Sequence, residues 1–553
     1  MRNWRILLII LLLLGAGFGL VARLSFLQIT SHGFYRALAQ GQQTLPSLAN
    51  GVRGDIFFTD KQGNTYTVAS TKNVPFVFAT PSEVEDKEAV KTLLADILNL
   101  SPEFVEERLL KEESLFEVLK KDLSLKEEES LKEADLKGIY VRREAVRFYP
   151  YETLGSRLLG FVNQDWQGQY GVEKYYESYL KGKEGLERTI RNVAAYLLQG
   201  DRETLQDGKN LELTIDFNIQ SVAESLLAKA ASAHSIEEGT IIVMDPMTGD
   251  ILALANYPAF NPNSYSQVSD LSLFRNPALQ DIWEPGSVFK PLTMASAIDS
   301  GALTPETTYV DRGIVRIGGY KILNYDERTW GEASMTNVLE YSINTGAVFA
   351  EQETGHSAFL AYLERFGLFK LTGVDLAGEI ASQNRELKKG YEINFATASF
   401  GQGIEITPLQ LVRAYAALAN GGRLVTPHII KQEPELSDQI ISQRTASQIT
   451  AMLVSVTENG FAKSSRVPGY YLAGKTGTAQ VSYAALGENR LGYSEKTAQS
   501  FIGYAPAFNP RFVALVKLNN PQTKTAEYSA TPVFQELAKY ITDYYEIPHD
   551  YEK

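Results

Sequence analysis

Ser287 and Lys290 stand three residues apart in Glu284-Pro-Gly-Ser287-Val-Phe-Lys290-Pro291. A serine hydroxyl attacks a carbonyl only when a neighbour takes its proton. On a helix, positions i and i+3 share a face with Cβ atoms about 5–6 Å apart, within side-chain reach. Pro285 and Gly286 end a loop here, which puts Ser287 at a helix N-terminus. Free N–H groups and the positive dipole end at such a terminus favour a developing oxyanion and lower a neighbouring lysine's pKa. Pro291 resists this picture, because it lacks the N–H for an early helical bond. Taken alone the tetrad is weak evidence, since a surface Ser and Lys at this spacing arise by chance in any long chain.

Two further clusters carry compatible chemistry. Ser342-Ile-Asn344 falls at a break between helical stretches at 335–341 and 345–353. A loop there presents a hydroxyl and an amide together, although a helix-capping Ser and Asn read the same way. Lys475-Thr-Gly-Thr478 follows an apolar lead at 470–474. On a strand, Lys475 and Gly477 face one way, and Thr476 and Thr478 the other. An ammonium with threonine hydroxyls suits a carboxylate, and Gly477 permits close backbone approach. A strand-end loop is the plain alternative.

The elements that must hold these residues are legible in outline. A helix is expected from the Leu213-Thr-Ile-Asp216 stretch to about Ala233, with Ile219, Val222, Ala223, Leu226 and Leu227 on one face. A hairpin follows, with strands at 240–244 and 251–255 joined by Asp245-Pro-Met-Thr-Gly249. Thr407-Pro-Leu-Gln410 starts a helix as a capping box, and Asn420-Gly421-Gly422 stops it. Strands at 501–504 and 512–518 and a last helix at about 532–544 close the chain. Upstream, 74–79 is a strand candidate that Pro75 confines to its first residues or to a sheet edge. Ser101 caps a helix with Pro102 at its first position, and the Lys/Glu run 120–132 reads as a solvated helical face. Together these predict one sheet with helices packed on it and a helical insertion.

Composition removes most other chemistries. There is no cysteine, which excludes thiol catalysis, disulfides and Cys-ligated zinc. The five histidines, His32, His234, His356, His428 and His549, include no pair at i, i+3 or i, i+4. No metal or cofactor is expected, and the net charge of −13 argues against a nucleic-acid surface. No P-loop or dinucleotide fingerprint is present, and Gly355-His-Ser357-Ala-Phe359 lacks the last glycine of a nucleophile elbow. Residues 6–22 are uncharged and apolar, follow Arg2 and Arg5, and as a helix span about 25 Å. No A-x-A site follows them, so an uncleaved anchor with a cytoplasmic N-terminus is expected rather than a signal peptide. A chain of 553 residues then divides into the tip and anchor at 1–23, a mixed α and β region at 24–205, and a region at 206–553 that carries the three clusters.

The clusters occur in the order S-x-x-K, S-x-N, K-T-G, and in that order the chain resembles class B penicillin-binding proteins, monofunctional D,D-transpeptidases. Supporting stretches run through most of the chain: Arg53-Gly-Asp-Ile56, Arg147-Phe-Tyr-Pro150, Tyr170-Gly-Val-Glu173, Gly401-Gln-Gly403 and Ser500-Phe-Ile-Gly503. The pattern is closer to division-type than to elongation-type members. Ile343 departs from the Ser or Asp that many members carry there. The resemblance implies a multidomain α+β fold: a single transmembrane helix, an elongated pedestal or dimerisation-like domain, and a serine β-lactamase-like transpeptidase domain with a central antiparallel sheet and a helical subdomain. It implies that Ser287 attacks the penultimate D-Ala of a stem peptide, with Lys290 as base and Ser342 as proton relay. Asn344 would hold the peptide amide and orient Lys290. Lys475, Thr476, Gly477 and Thr478 would bind the terminal carboxylate, and the Ser287 and Thr478 N–H groups would form the oxyanion hole. The implied partners are a second stem peptide as amine acceptor, a membrane glycan polymerase, divisome or elongasome proteins, and β-lactams as inhibitors. A membrane-anchored β-lactamase and a non-catalytic divisome scaffold are the competing functions.

Overall fold

The computed structural model describes residues 17, 44–49, 51–182, 185–191, 197–203, 206–490 and 492–552. The expected anchor at 6–22 lies outside these but for Gly17. Among the described residues no helix is long and apolar enough to cross a membrane. The chain forms two units, Met1–Gly54 with Ser178–Lys209, and Asp55–Glu177 with Asn210–Lys553. The first contains a three-stranded antiparallel sheet of Thr44–Ala49, Gly185–Arg191 and Leu197–Glu203, with Gly185–Arg191 in the middle.

The second unit holds two five-stranded sheets. One comprises β1 (Ile56–Thr59), β2 (Thr65–Ala79), β3 (Glu117–Lys121), β4 (Ile139–Phe148) and β5 (Leu211–Asp216), in the order β5-β1-β2-β3 with β4 also paired to β2. Pro75 sits inside β2, opposite Arg143 of β4, but just before pairing with β3 begins at Phe76. One side of β2 is thus an edge at Pro75, where a missing N–H breaks no ladder. The helices Lys87–Leu98, Pro102–Leu109 and Leu125–Ala134 cover a core that includes Val77, Leu94, Leu98, Leu119 and Leu131. Ser101 caps the second as expected, accepting from Phe104 N.

The helix expected to open at Leu213 is corrected. Residues Leu211–Asp216 form strand β5, parallel to β1, and α1 runs over Phe217–His234. Leu211, Leu213 and Ile215 are buried at a period of two, a strand signal that the following helical pattern masks. Asp216 ends the strand and caps α1, its carboxylate accepting from Asn218 N and Ile219 N.

The second sheet is antiparallel throughout, in the order β7-β6-β10-β9-β8: β6 is Glu238–Met244, β7 Ile251–Tyr257, β8 Ala473–Ser482, β9 Tyr493–Ala505 and β10 Phe512–Asn519. Its middle strands are buried almost end to end, so helices must cover it. The chain between β7 and β8 is mainly helical and includes α2 (Lys290–Asp299), α3 (Met335–Glu340), α4 (Asn344–Thr354), α5 (Pro408–Ala419) and α6 (Gln443–Glu458). Helix α7 (Ala530–Tyr544) closes the fold against α1 and the sheet. The capping box at α5 forms as expected, Gln410 N donating to Thr407 Oγ1 and Thr407 N to Gln410 Oε1.

Candidate active site

The nucleophile candidate does not sit on an α-helix. Gly286–Phe289 is a 3₁₀ turn, and α2 begins only at Lys290. This places Pro291 in the first turn of α2, where its missing N–H has no intrahelical partner to satisfy. The misfit expected of Pro291 on a helix starting at Ser287 therefore disappears. In a 3₁₀ turn, residues i and i+3 eclipse, so Ser287 and Lys290 are held on the same side.

The turn is clamped from three directions. Tyr415 of α5, fully buried, donates its hydroxyl to Val288 O at 2.7 Å. Gly286 N donates to Gly401 O at 2.9 Å, and Trp283 and Ile406 exchange backbone bonds at 3.0 and 3.1 Å. Gly401, at φ +81°, packs its α-carbon against the Gly286 backbone. Strand β8 closes the third side. A Cβ on Gly477 would lie 2.9 Å from Val288 Cγ1 and 2.7 Å from Ser500 Oγ. The close approach that Gly477 permits here is to the turn carrying Ser287.

Ser342 lies between α3 and α4 at φ +54°, a left-handed conformation that costs a non-glycine residue about 1–3 kcal/mol. That conformation turns both its carbonyl and its hydroxyl toward Lys290. Lys290 Nζ donates to Ser342 O at 2.5 Å, Ser342 Oγ at 3.1 Å and Asn344 Oδ1 at 2.8 Å. The Asn344 amide in turn donates to Leu323 O at 2.9 Å, which fixes which end of it faces the lysine. Ile343 points the other way and is wholly buried, so the residue that departs from the family pattern is a core residue.

Lys475 approaches from β8. Its Nζ donates to Ser342 Oγ at 3.1 Å and Thr476 O at 3.0 Å. Two buried amines thus converge on one serine hydroxyl, and among the described residues neither has an ion-pair partner. Burial pushes the Lys290 pKa well below the ordinary lysine value, helped by the nearby Lys475 charge. Burial alone pushes Lys475 down to about 7.

These groups surround a cleft of about 570 Å³. Ser287, Ser342, Asn344, Thr476 and Thr478 line it, while Lys290 and Lys475 are buried at 1% and 0% exposure, bonded to the lining Ser342. Thr478 Oγ1 accepts from Ala526 N at 3.1 Å, which leaves its proton free to donate into the cleft. The sequence reading missed much of the lining. Tyr341 stacks on Trp330 at 4.4 Å, with Phe461 beside both, and Tyr341 and Phe461 form one wall with Arg328. Leu323 and Asn324 line it too; Asn324 is pinned by the buried Asp311, which also accepts from Thr345 Oγ1 at 2.6 Å and Trp330 N at 2.8 Å. No local motif marks these residues. Gly401-Gln-Gly403 is visible in the sequence, but not that Gly401 packs against the turn carrying Ser287.

A serine on the cleft lining, two charge-suppressed amines behind it and hydroxyls facing the open cleft suit acyl transfer. A model of the penicillin binding protein transpeptidase domain matches residues 239–539, and one of the penicillin-binding protein dimerisation domain matches 49–213. The chain belongs to the penicillin-binding protein transpeptidase family, class B, and is a serine-type peptidoglycan D,D-transpeptidase. It is 31% identical over 490 residues to stage V sporulation protein D of Bacillus subtilis, covering 85% of this chain and 74% of that one. To peptidoglycan D,D-transpeptidase FtsI of Escherichia coli it is 30% identical over 534 residues, covering 94% and 88%. Its fold is similar to that of penicillin binding protein 2X from Streptococcus thermophilus, with a TM-score of 0.72, 24% identity, and 90% and 80% coverage.

Proposed function

We propose that the transpeptidase activity runs through a Ser287 acyl-enzyme, with Lys290 in its neutral form as the base. Ser287 Oγ attacks the penultimate D-Ala carbonyl of a donor stem peptide, and its proton passes to Lys290. Ser342, bonded to both lysines, relays a proton to the leaving D-Ala amine. Asn344 holds Lys290 in place. Thr476, Thr478 and the Lys475 charge receive the terminal carboxylate, and the Ser287 and Thr478 N–H groups stabilise the tetrahedral oxyanion, a contribution of about 10²–10³ in rate per donor. An amine of a neighbouring stem peptide then takes the acyl group, and a β-lactam would stop at the acyl stage.

The observation that carries this reading is the Lys290 environment: full burial, the Lys475 amine beside it and, among the described residues, no carboxylate to hold its proton. An amine so placed loses its charge easily, as a base must. We further place 24–205 as the pedestal and 206–553 as the catalytic region of a single-pass membrane protein acting at the septum outside the cytoplasm, alongside a membrane glycan polymerase and other divisome proteins. Covalent labelling by a fluorescent penicillin tests the core of this. Ser287→Ala should abolish labelling, and persistent labelling at another serine would overturn the assignment.

A further inference from the structure

Glu284 stands three residues before the nucleophile and has no part in the steps above. Its Oε2 accepts from Tyr493 OH at 2.8 Å, and among the described residues no cation pairs with it. It is not itself a lining residue of the cleft but adjoins three lining segments. Gly286 and Ser287 follow it in the chain, Gly403 N–H bonds to it beside the lining residue Gln402, and Tyr493 belongs to the β8–β9 hairpin that contributes Gln480 and Thr497 to the lining. The lysines and arginine of the cleft suit an anionic donor. The second substrate of a transpeptidase is the opposite case, because a primary amine arrives as an ammonium and cannot attack until it loses a proton.

Resting on the Ser287 acyl-enzyme reading, we propose that Glu284 binds the ammonium of the acceptor and takes its first proton. The carboxylate becomes a carboxylic acid and the ammonium a neutral amine. The amine attacks the ester carbonyl, the bond from that carbon to Ser287 Oγ breaks, and the second amine proton returns to Ser287 through Ser342. Glu284 then releases its proton to solvent. Burial raises the Glu284 pKa, opposed by the Tyr493 and Gly403 hydrogen bonds and reinforced by the nearby Glu405 charge. A raised carboxylate pKa suits proton acceptance from an amine better than an ordinary one. Tyr493, itself pushed up by burial, stays protonated and donating through the working range.

The experiment uses the full chain with a thioester donor and a D-amino acid acceptor, measuring aminolysis and hydrolysis products separately, and fluorescent-penicillin acylation alongside. Glu284→Gln should acylate within about twofold of wild type, while the aminolysis-to-hydrolysis ratio falls by about 10²-fold, the size of a general-base contribution. Wild type should lose aminolysis as pH falls through the Glu284 pKa; the Gln variant should lack that limb, and Glu284→Asp should restore part of it. Unchanged aminolysis in the Gln variant would overturn the proposal. So would an equal loss of acylation, which marks a merely structural role, or a loss that appears instead in Glu527→Gln, a carboxylate residue that does line the cleft. Failure of the Ser287 reading would show separately, as acylation surviving Ser287→Ala.

Discussion

Gly401→Ala should disable acylation without unfolding the protein. A Cβ at Gly401 would lie 2.6 Å from Gly286 N and 2.7 Å from its carbonyl carbon, and closer still to its oxygen. Carbon contacts are comfortable at about 3.5–4.0 Å, so the two backbones must part by about 1 Å. Parting them also stretches the Gly286 N to Gly401 O hydrogen bond, one of the clamps that hold the Ser287 turn, so the turn shifts with it. A displacement of about 1 Å at a reacting atom costs about 10²-fold in rate, or about 2.7 kcal/mol in the barrier. Alanine at φ +81° adds about 1–2 kcal/mol of backbone strain, a fall in Tm of a few degrees. Gly390 provides the control: it has the same φ of +81° and nothing within 4 Å of its would-be Cβ. Gly390→Ala should show the strain alone, with wild-type acylation. The assay is the second-order rate of fluorescent-penicillin acylation, with a circular dichroism melt on each variant. Wild-type acylation by Gly401→Ala, or an equal loss in Gly390→Ala, would refute the claim that this contact seats the nucleophile.

Three further predictions follow from the paired lysines. Lys475 holds its proton only below about pH 7 in the free enzyme, so capture of an anionic donor should weaken above that pH, while acylation chemistry should strengthen as Lys290 deprotonates; kcat/KM should be bell-shaped. Between about pH 7 and 10.5 the unfolded chain holds a Lys475 proton that the folded chain lacks, so stability in urea melts should rise with pH across that window. Ser342→Gly removes the hydroxyl that both lysines share and also relieves the left-handed backbone at φ +54°. Acylation should fall by at least about 10²-fold while Tm holds or rises, a split that a simple packing defect cannot produce.

The chemistry proposed for this protein is unusually local in its sequence. Each of three short motifs states a residue type whose function depends on spacing: Ser287 and Lys290 on one turn, Ser342 and Asn344 at a helix break, Lys475 with Thr476 and Thr478 alternating along a strand. Caps and turns were legible for the same reason, since Thr407 with Gln410 and Ser101 with Pro102 act within four residues. Strand β5 was not, because its alternation is short and runs directly into a helix that Asp216 caps. Whatever depends on partners distant in the chain was decided only by tertiary structure. Lys290 is three residues from Ser287, yet its hydrogen bonds go to Ser342 and Asn344. Gly477 and Gly401 could be seen as glycines, but only the fold shows that both make room for the same turn. The suppressed charges of Lys290 and Lys475 are likewise a property of burial, which no motif encodes, because desolvation is set by everything packed around a group rather than by its neighbours in the chain.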